Sequence, residues 1–208
     1  MIYLIGGPPR AGKTILAAAL AQKTSCPYFS IDHIAQVIVP YIPEQDYAVR
    51  LPLRVARQNA HYSNDSFYEK YSPEESVDLY LRQAETYWPG VENFISYALE
   101  DDHDLIIEGW QILPNRLRRV IAPHTRARTV FLYKRSELEI AAGLRSHLAK
   151  NDWVIKNTKK EETFDAIAKM ISVFGALIER EAASSDFRAV NTDRDFETTI
   201  KQTLEFLL

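Results

Sequence analysis

Cysteine is nearly absent: Cys26 is the only one in 208 residues. That excludes an internal disulfide framework and makes a reducing cytoplasm the natural compartment. Cys26 precedes Pro27 at a strand entrance, where a small buried filler is expected rather than a reactive thiol. The five histidines, His33, His61, His103, His124 and His147, have no ligand-like spacing, and neither a structural-zinc motif nor a nucleophile elbow occurs. No apolar run approaches the roughly 20 residues of a membrane-spanning helix. An apolar strand begins at Ile2, so no signal peptide is expected ahead of it. Excess positive charge is also missing, with 25 Lys and Arg against 28 Asp and Glu for a net charge of −3. That balance argues against a general nucleic-acid or membrane-surface binder. Repeats and low-complexity tracts are absent. Hydrophobic content of 46% and charged content of 25% are those of a soluble globular chain. The length fits one domain, residues 1–208, carrying an inserted segment.

The stretch Ile2–Thr14, IYLIGGPPRAGKT, organises the rest. Gly7-Pro8-Pro9-Arg10-Ala11-Gly12-Lys13-Thr14 fits G-x-x-x-x-G-K-[ST], a phosphate-binding loop. Glycines let backbone N–H groups curl round phosphate oxygens where a Cβ would obstruct the turn. Lys13 brings a point charge to the terminal phosphates, and the Thr14 hydroxyl is a magnesium ligand in such loops. The apolar run Ile2–Ile5 before the loop reads as a buried strand, and Thr14–Ala21 after it is a strong helix former. The helix that starts here points its positive dipole end at the same anion. Gly7 through Ile15 are therefore the candidate nucleotide contacts.

Along the chain, Pro27–Asp32 reads as a second strand ending in a carboxylate. Asp32 would lie beyond a carboxyl strand end, where it can hold magnesium-bound water or accept a substrate proton. The alternative is an N-cap for a helix starting at His33. Between Pro40 and Trp88 tyrosines and arginines accumulate. Leu51 and Val55 with Arg54 and Arg57 suggest a helix with one basic face, and Ser72-Pro73-Glu74-Glu75 has the form of a helix start. Pro89-Gly90 reads as a break before a further helix through Leu99. This block, about 41–102, is too long for a simple connection and reads as an insertion holding a second substrate.

Asp104–Gly109 is a third strand in which Glu108 takes the place of the acid that orients magnesium or its water. Trp110 and Gln111 follow at the ligand-facing end as candidate substrate contacts, with core covering as the alternative for Trp110. Arg128–Tyr133 is a fourth strand, and Ser136–Glu139 starts a helix running to Leu148. The basic segment at about 145–162 reads as a lid, with Arg145 and Lys150 as cations able to close over a transferred phosphoryl group. A helix at 161–183, a fifth strand at 187–193 and a helix at 195–207 complete the chain.

Strands alternating with helices predict an α/β three-layer sandwich with right-handed crossovers. The order GGPPRAGKT, SID, helical insertion, IIEG and basic lid resembles the small P-loop kinases of the nucleoside-monophosphate-kinase-like group. GGPPRAGKT with IIEGWQILP is most similar to the 2-phosphoglycerate-kinase-like branch. The resemblance implies a five-stranded parallel sheet of order 2-3-1-4-5, ATP with Mg2+, and a small-molecule acceptor. It also implies triphosphate binding by Gly7, Gly12, Lys13 and Thr14, with Asp32 and Glu108 near metal and acceptor. Two alternatives stay open. One is a nucleotide-binding regulatory NTPase whose insertion is an interaction surface. The other, a nucleic-acid-end kinase, would need Arg50, Arg54, Arg57 and Arg82 clustered on one face. Self-association is left open as well.

Overall fold

A computed structural model describes residues 1–101, 103–122, 124–146 and 152–208. Strands β1 (Ile2–Gly6), β2 (Tyr28–Ser30), β3 (Leu105–Gly109), β4 (Ala127–Tyr133) and β5 (Ala189–Asn191) form one parallel sheet in the order β2-β3-β1-β4-β5. This is the 2-3-1-4-5 order implied by the resemblance. All five residues of β1 are buried, as expected of a central strand covered on both faces. Alternation still divides them: Ile2 and Leu4 join one core, Tyr3 and Ile5 the other.

The smaller core is closed by α1 (Lys13–Thr24) and α11 (Phe196–Leu207), through Leu16, Leu20, Ile200 and Leu204. On the other face lie α6 (Pro73–Glu100), α7 (Pro114–Ile121), α8 (Glu137–Ser146) and α10 (Glu161–Ser184). The sheet and its two helical layers make the expected three-layer α/β sandwich. No helix among the described residues is long and apolar enough to cross a membrane. Register aligns Gly6 with Gly109 and Phe131, and Ser30 with Glu108. The carboxyl ends of four strands therefore meet at one edge, where the phosphate loop emerges.

Between β2 and β3 the chain forms α2 (Ile31–Ile38), two short 3-10 turns, α3 (Tyr47–Arg50), α4 (Pro52–Asn59), α5 (Asn64–Lys70) and α6. Two expectations need correction here. Helix α2 begins at Ile31 with Ser30 at its N-cap, so Asp32 lies in the first turn rather than capping a helix from His33. Pro89-Gly90 does not divide α6, which runs 28 residues through it. A helical proline costs about 3 kcal/mol. That cost is offset because Tyr87, Trp88, Val91 and Ile95 are buried on both sides of it. Gly90 instead allows close packing, since a Cβ there would stand 2.9 Å from Ile38 Cδ1 of α2. Ser72 caps α6 reciprocally with Glu75, as its spelling predicts. Helix α8 is described to Ser146; the expected continuation to Leu148 falls outside the described residues, as does Lys150.

Gly175 in α10 sets how closely that helix approaches β4: an added Cβ would lie 2.0 Å from the Lys134 carbonyl oxygen. Helix propensity favours alanine over glycine by about 1 kcal/mol, while overpacking costs about 1–3 kcal/mol or more. The clash should win. Gly175→Ala is expected to destabilise the fold by about 2 kcal/mol in urea denaturation, and a gain in stability would contradict this packing.

Candidate active site

The phosphate loop departs from ordinary backbone at three points: φ is 137° at Gly7, 66° at Arg10 and 98° at Gly12. At Gly7 glycine is obligatory, because a Cβ would stand 2.1 Å from the Leu132 carbonyl oxygen of β4. Thr192, fully buried after β5, donates its hydroxyl to the Ala11 carbonyl at 2.9 Å and ties the loop to the far side of the sheet. Gly12 at the α1 N-cap supplies no side-chain cap, and the first turn carries no acid. The leading N–H groups of α1 are thus left for an anion.

Lys13 is buried and donates to the Pro8 carbonyl at 2.8 Å. Burial lowers its pKa, while the negative charges of Glu108 and Asp32 work in the opposite direction. Glu108, at the end of β3, is 5% exposed. Its Oε1 accepts from the Tyr28 hydroxyl at 3.0 Å, with the Thr14 hydroxyl 3.5 Å away. Gln111 donates Nε2 to Asp32 Oδ1 at 2.8 Å. Its own Oε1 is buried without a hydrogen-bond partner.

Two cavities flank the loop. One, of about 530 Å3, is bordered by Gly12, Ile15, Lys134, Ile140, Leu144 and Phe196. Its mixture of apolar walls with the glycine loop suits a nucleotide. Lys134 donates to the Thr192 carbonyl at 2.5 Å, and burial lowers its pKa. The other, of about 500 Å3, is bordered by Asp32, Glu108, Trp110 and Gln111 and by Tyr80, Gln83 and Tyr87 of α6. Arg10, Lys13 and Thr14 border both.

The expected residues divide accordingly. Asp32, Arg57, Glu108, Trp110 and Gln111 line the second cavity, and Trp110 also packs edge-on against Tyr80 with ring centroids 4.9 Å apart. Arg57 is held at 2.7 Å by Asn64 Oδ1, its guanidinium carbon 3.8 Å from the centre of the Phe67 ring. Arg54 does not border the cavity; its backbone N–H donates to the Gln83 side chain and its Nε is buried without a hydrogen-bond partner. Arg82 pairs with Asp78 at 3.7 Å on an exposed face and lines neither cavity, so it does not join Arg57. Arg145 borders neither cavity: it pairs with Glu161 and, at 3.0 Å, with Asp165. The physical reason is local, because the first two turns of α10 bring Glu161 and Asp165 to the end of α8.

Several residues of the site had no assigned role in the sequence. Tyr28 is one, although alternation along β2 puts it on the same side as Ser30, which is in register with Glu108. Trp153 and Asn157, on α9 (Trp153–Asn157), reach the second cavity. Asn64 draws α9 in by donating to the Trp153 carbonyl and the Thr158 hydroxyl at 3.3 and 3.0 Å. Neighbouring Asp65 accepts from the Lys159 and Lys160 N–H groups and from the Thr163 hydroxyl. Burial would raise its carboxyl, but these hydrogen bonds outweigh that and hold it below the usual range. No local pattern announces such pairs.

A crystal structure of a provisionally assigned kinase from Chloroflexus aurantiacus j-10-fl matches this architecture with a TM-score of 0.51 and 18% identity, covering 100% of this chain and 97% of that one. A gluconokinase from Sinorhizobium meliloti 1021 matches at 0.50 and 13%, covering 99% and 90%. The fold is that of the P-loop NTPases. Among characterised proteins the chain is similar to mevalonate-3-phosphate 5-kinase from Thermoplasma acidophilum, with 26% identity over 121 residues. That match covers 58% of this chain and 55% of the relative, so the two align over about half the relative's length. No protein-family model matches the chain.

The Tyr28–Glu108 contact has a pH signature. Burial, and then the Glu108 charge, push the Tyr28 phenol up to about 12 from its ordinary 10. The folded protein therefore retains a proton that the unfolded chain releases above pH 10. The contribution of Tyr28 is complete below pH 10 and is lost as pH rises through about 12. The stability gap between the native protein and Tyr28→Phe should be constant up to pH 10 and shrink above it in urea titrations. A constant gap would contradict the assignment.

Proposed function

We propose that the chain is an ATP-dependent kinase acting on a small molecule. The observation that carries this is the pair of cavities meeting at Arg10, Lys13 and Thr14: one suited to a nucleotide, the other of small-metabolite size with a carboxylate in its wall. A switch or regulatory NTPase has no use for the second. The kinase named among its relatives supports the same reading, and the single buried cysteine suits a cytoplasmic setting.

In this reading the acceptor oxygen attacks the γ-phosphorus in line while the bond to the β,γ-bridging oxygen breaks, and that oxygen departs with ADP. Where the acceptor is a hydroxyl, its proton passes to Asp32; Gln111 fixes Oδ1, leaving Oδ2 to receive it. Lys13 places its charge against the phosphates, and the open N–H groups of α1 hold them. The hydroxyl of Thr14 beside the Glu108 carboxylate is a donor set that fits magnesium. Thr14 would hold it directly, and Glu108 and Asp32 through water. Among the described residues no three His, Cys, Asp or Glu cluster as a metal cage. When bound, magnesium supplies neutralisation of phosphate charge.

The second cavity also bears on acceptor class. Arg57 offers a fixed guanidinium to an anionic group, and Trp110 and Gln111 contact the same space, with Arg54 behind its wall. A hydroxylated acid or phosphate ester suits that lining. Such a compound agrees with the likeness of GGPPRAGKT and IIEGWQILP to the 2-phosphoglycerate-kinase-like branch. The insertion at about 41–102 then serves the acceptor, with Trp153 and Asn157 of the expected lid segment on the same cavity.

A screen of hydroxylated carboxylates and phosphate esters with ATP and Mg2+, read as ADP release, should find an acceptor that stimulates turnover. With that acceptor, Lys13→Ala should retain the native circular dichroism and lose about 1,000-fold in turnover. Retained turnover would reject the site, and a screen with no stimulation would favour the regulatory NTPase.

A further inference from the structure

A phosphoryl group passing from one cavity to the other must cross the strip of wall that both share. Three residues form it: Thr14, Lys13 and Arg10. Thr14 is a hydroxyl, and Lys13 is turned into its own loop, on the Pro8 carbonyl. Arg57 is anchored within the acceptor cavity and Arg145 is held outside both. Arg10 is therefore the one arginine among the described residues that borders both cavities.

The structure fixes this side chain unusually well for a loop arginine. Its Nη1 pairs with Asp152 Oδ2, and the two side chains are 22% and 10% exposed. Asp152 is positioned in turn by accepting the Val154 N–H at 2.9 Å through its other oxygen. A guanidinium has five N–H donors in a rigid fork, so one Nη1 bond to Asp152 leaves donors for phosphate oxygens. The backbone points the same way. Arg10 has φ 66°, a left-handed conformation in which glycine is relaxed and a long side chain is strained. A loop that needed only curvature would be better served by glycine.

We propose that Arg10 is a catalytic residue of the kinase reaction: a cation supplied by the phosphate loop itself, which donates to the equatorial oxygens of the γ-phosphoryl group as it moves from the bridging oxygen to the acceptor. Asp152 is its positioning residue. The assignment rests on the kinase reading for its effect on rate, but not for its contact with the γ-phosphate, which ADP lacks. ATP-over-ADP preference is therefore an independent readout.

The test uses the full chain with Arg10→Gly, Arg10→Lys and Asp152→Asn, measuring ATP and ADP affinity by calorimetry and turnover with the stimulating acceptor. Arg10→Gly relaxes the backbone and should fold. ADP affinity should stay within about twofold, while ATP-over-ADP preference falls about tenfold and kcat falls on the order of 1,000-fold. Arg10→Lys should recover part of the preference and serves as the reading if the glycine variant fails to fold. Asp152→Asn keeps the oxygen that accepts from Val154 and replaces the one that accepts from Arg10 with an amide nitrogen, which breaks the pair. It should lower kcat about tenfold with KM for ATP little changed. An unaltered ATP-to-ADP affinity ratio in the Arg10 variants overturns the proposal, whether or not an acceptor is found. A reduced ratio without any acceptor upholds the γ-phosphate contact and sinks only the kinase reading.

Discussion

Everything in this site depends on how closely the loop after β1 approaches β4. At Gly7 the backbone leaves no room for a Cβ, with Leu132 O 2.1 Å from where one would stand. On its other side the loop is tied by the Thr192 hydroxyl to Ala11. Held between these two points, the chain enters α1 without a capping side chain. An uncapped helix start is a cost to the empty protein and becomes favourable when an anion completes it. The proposed binding site is thus a local weakness of the fold.

The charges around that turn are arranged in opposition. Lys13 is desolvated, which disfavours its charged form, and Glu108 and Asp32 counter this from the ends of neighbouring elements. Neither carboxylate is left to itself: Tyr28 and Thr14 stand at Glu108, and Gln111 at Asp32. These hydrogen bonds hold both carboxylates in place beside Lys13. Further out, α5 and the segment from Asp152 to Thr163 are joined through Asn64 and Asp65. The helical insertion and residues 152–163 are therefore mechanically connected.

What the sequence disclosed was whatever is local or repeated. Strand, loop and helix from Ile2 to Thr24 are contiguous, so their chemistry is spelled in order. That Asp32 and Glu108 share one cavity was legible because residues at or just beyond the carboxyl ends of parallel strands gather at one edge. Helix α6 was misread at Pro89 because burial on both sides of it, which no dipeptide rule contains, outweighs the lost hydrogen bond. Arg145 was selected for its charge and lies outside the cavities because Glu161 and Asp165 are nearer. Phe196, Lys134, Gln83 and Trp153 reach the site only through tertiary packing.

Two cavities meet at one loop, and in the proposed kinase the nucleotide occupies the apolar one. A crystal structure with a non-hydrolysable ATP analogue and magnesium tests it most directly. The base is expected beside Phe196 and Ile15, the γ-phosphate at Arg10 and Lys13, and the space before Asp32 left open. A nucleotide occupying the cavity of Asp32, Arg57 and Trp110 would contradict it.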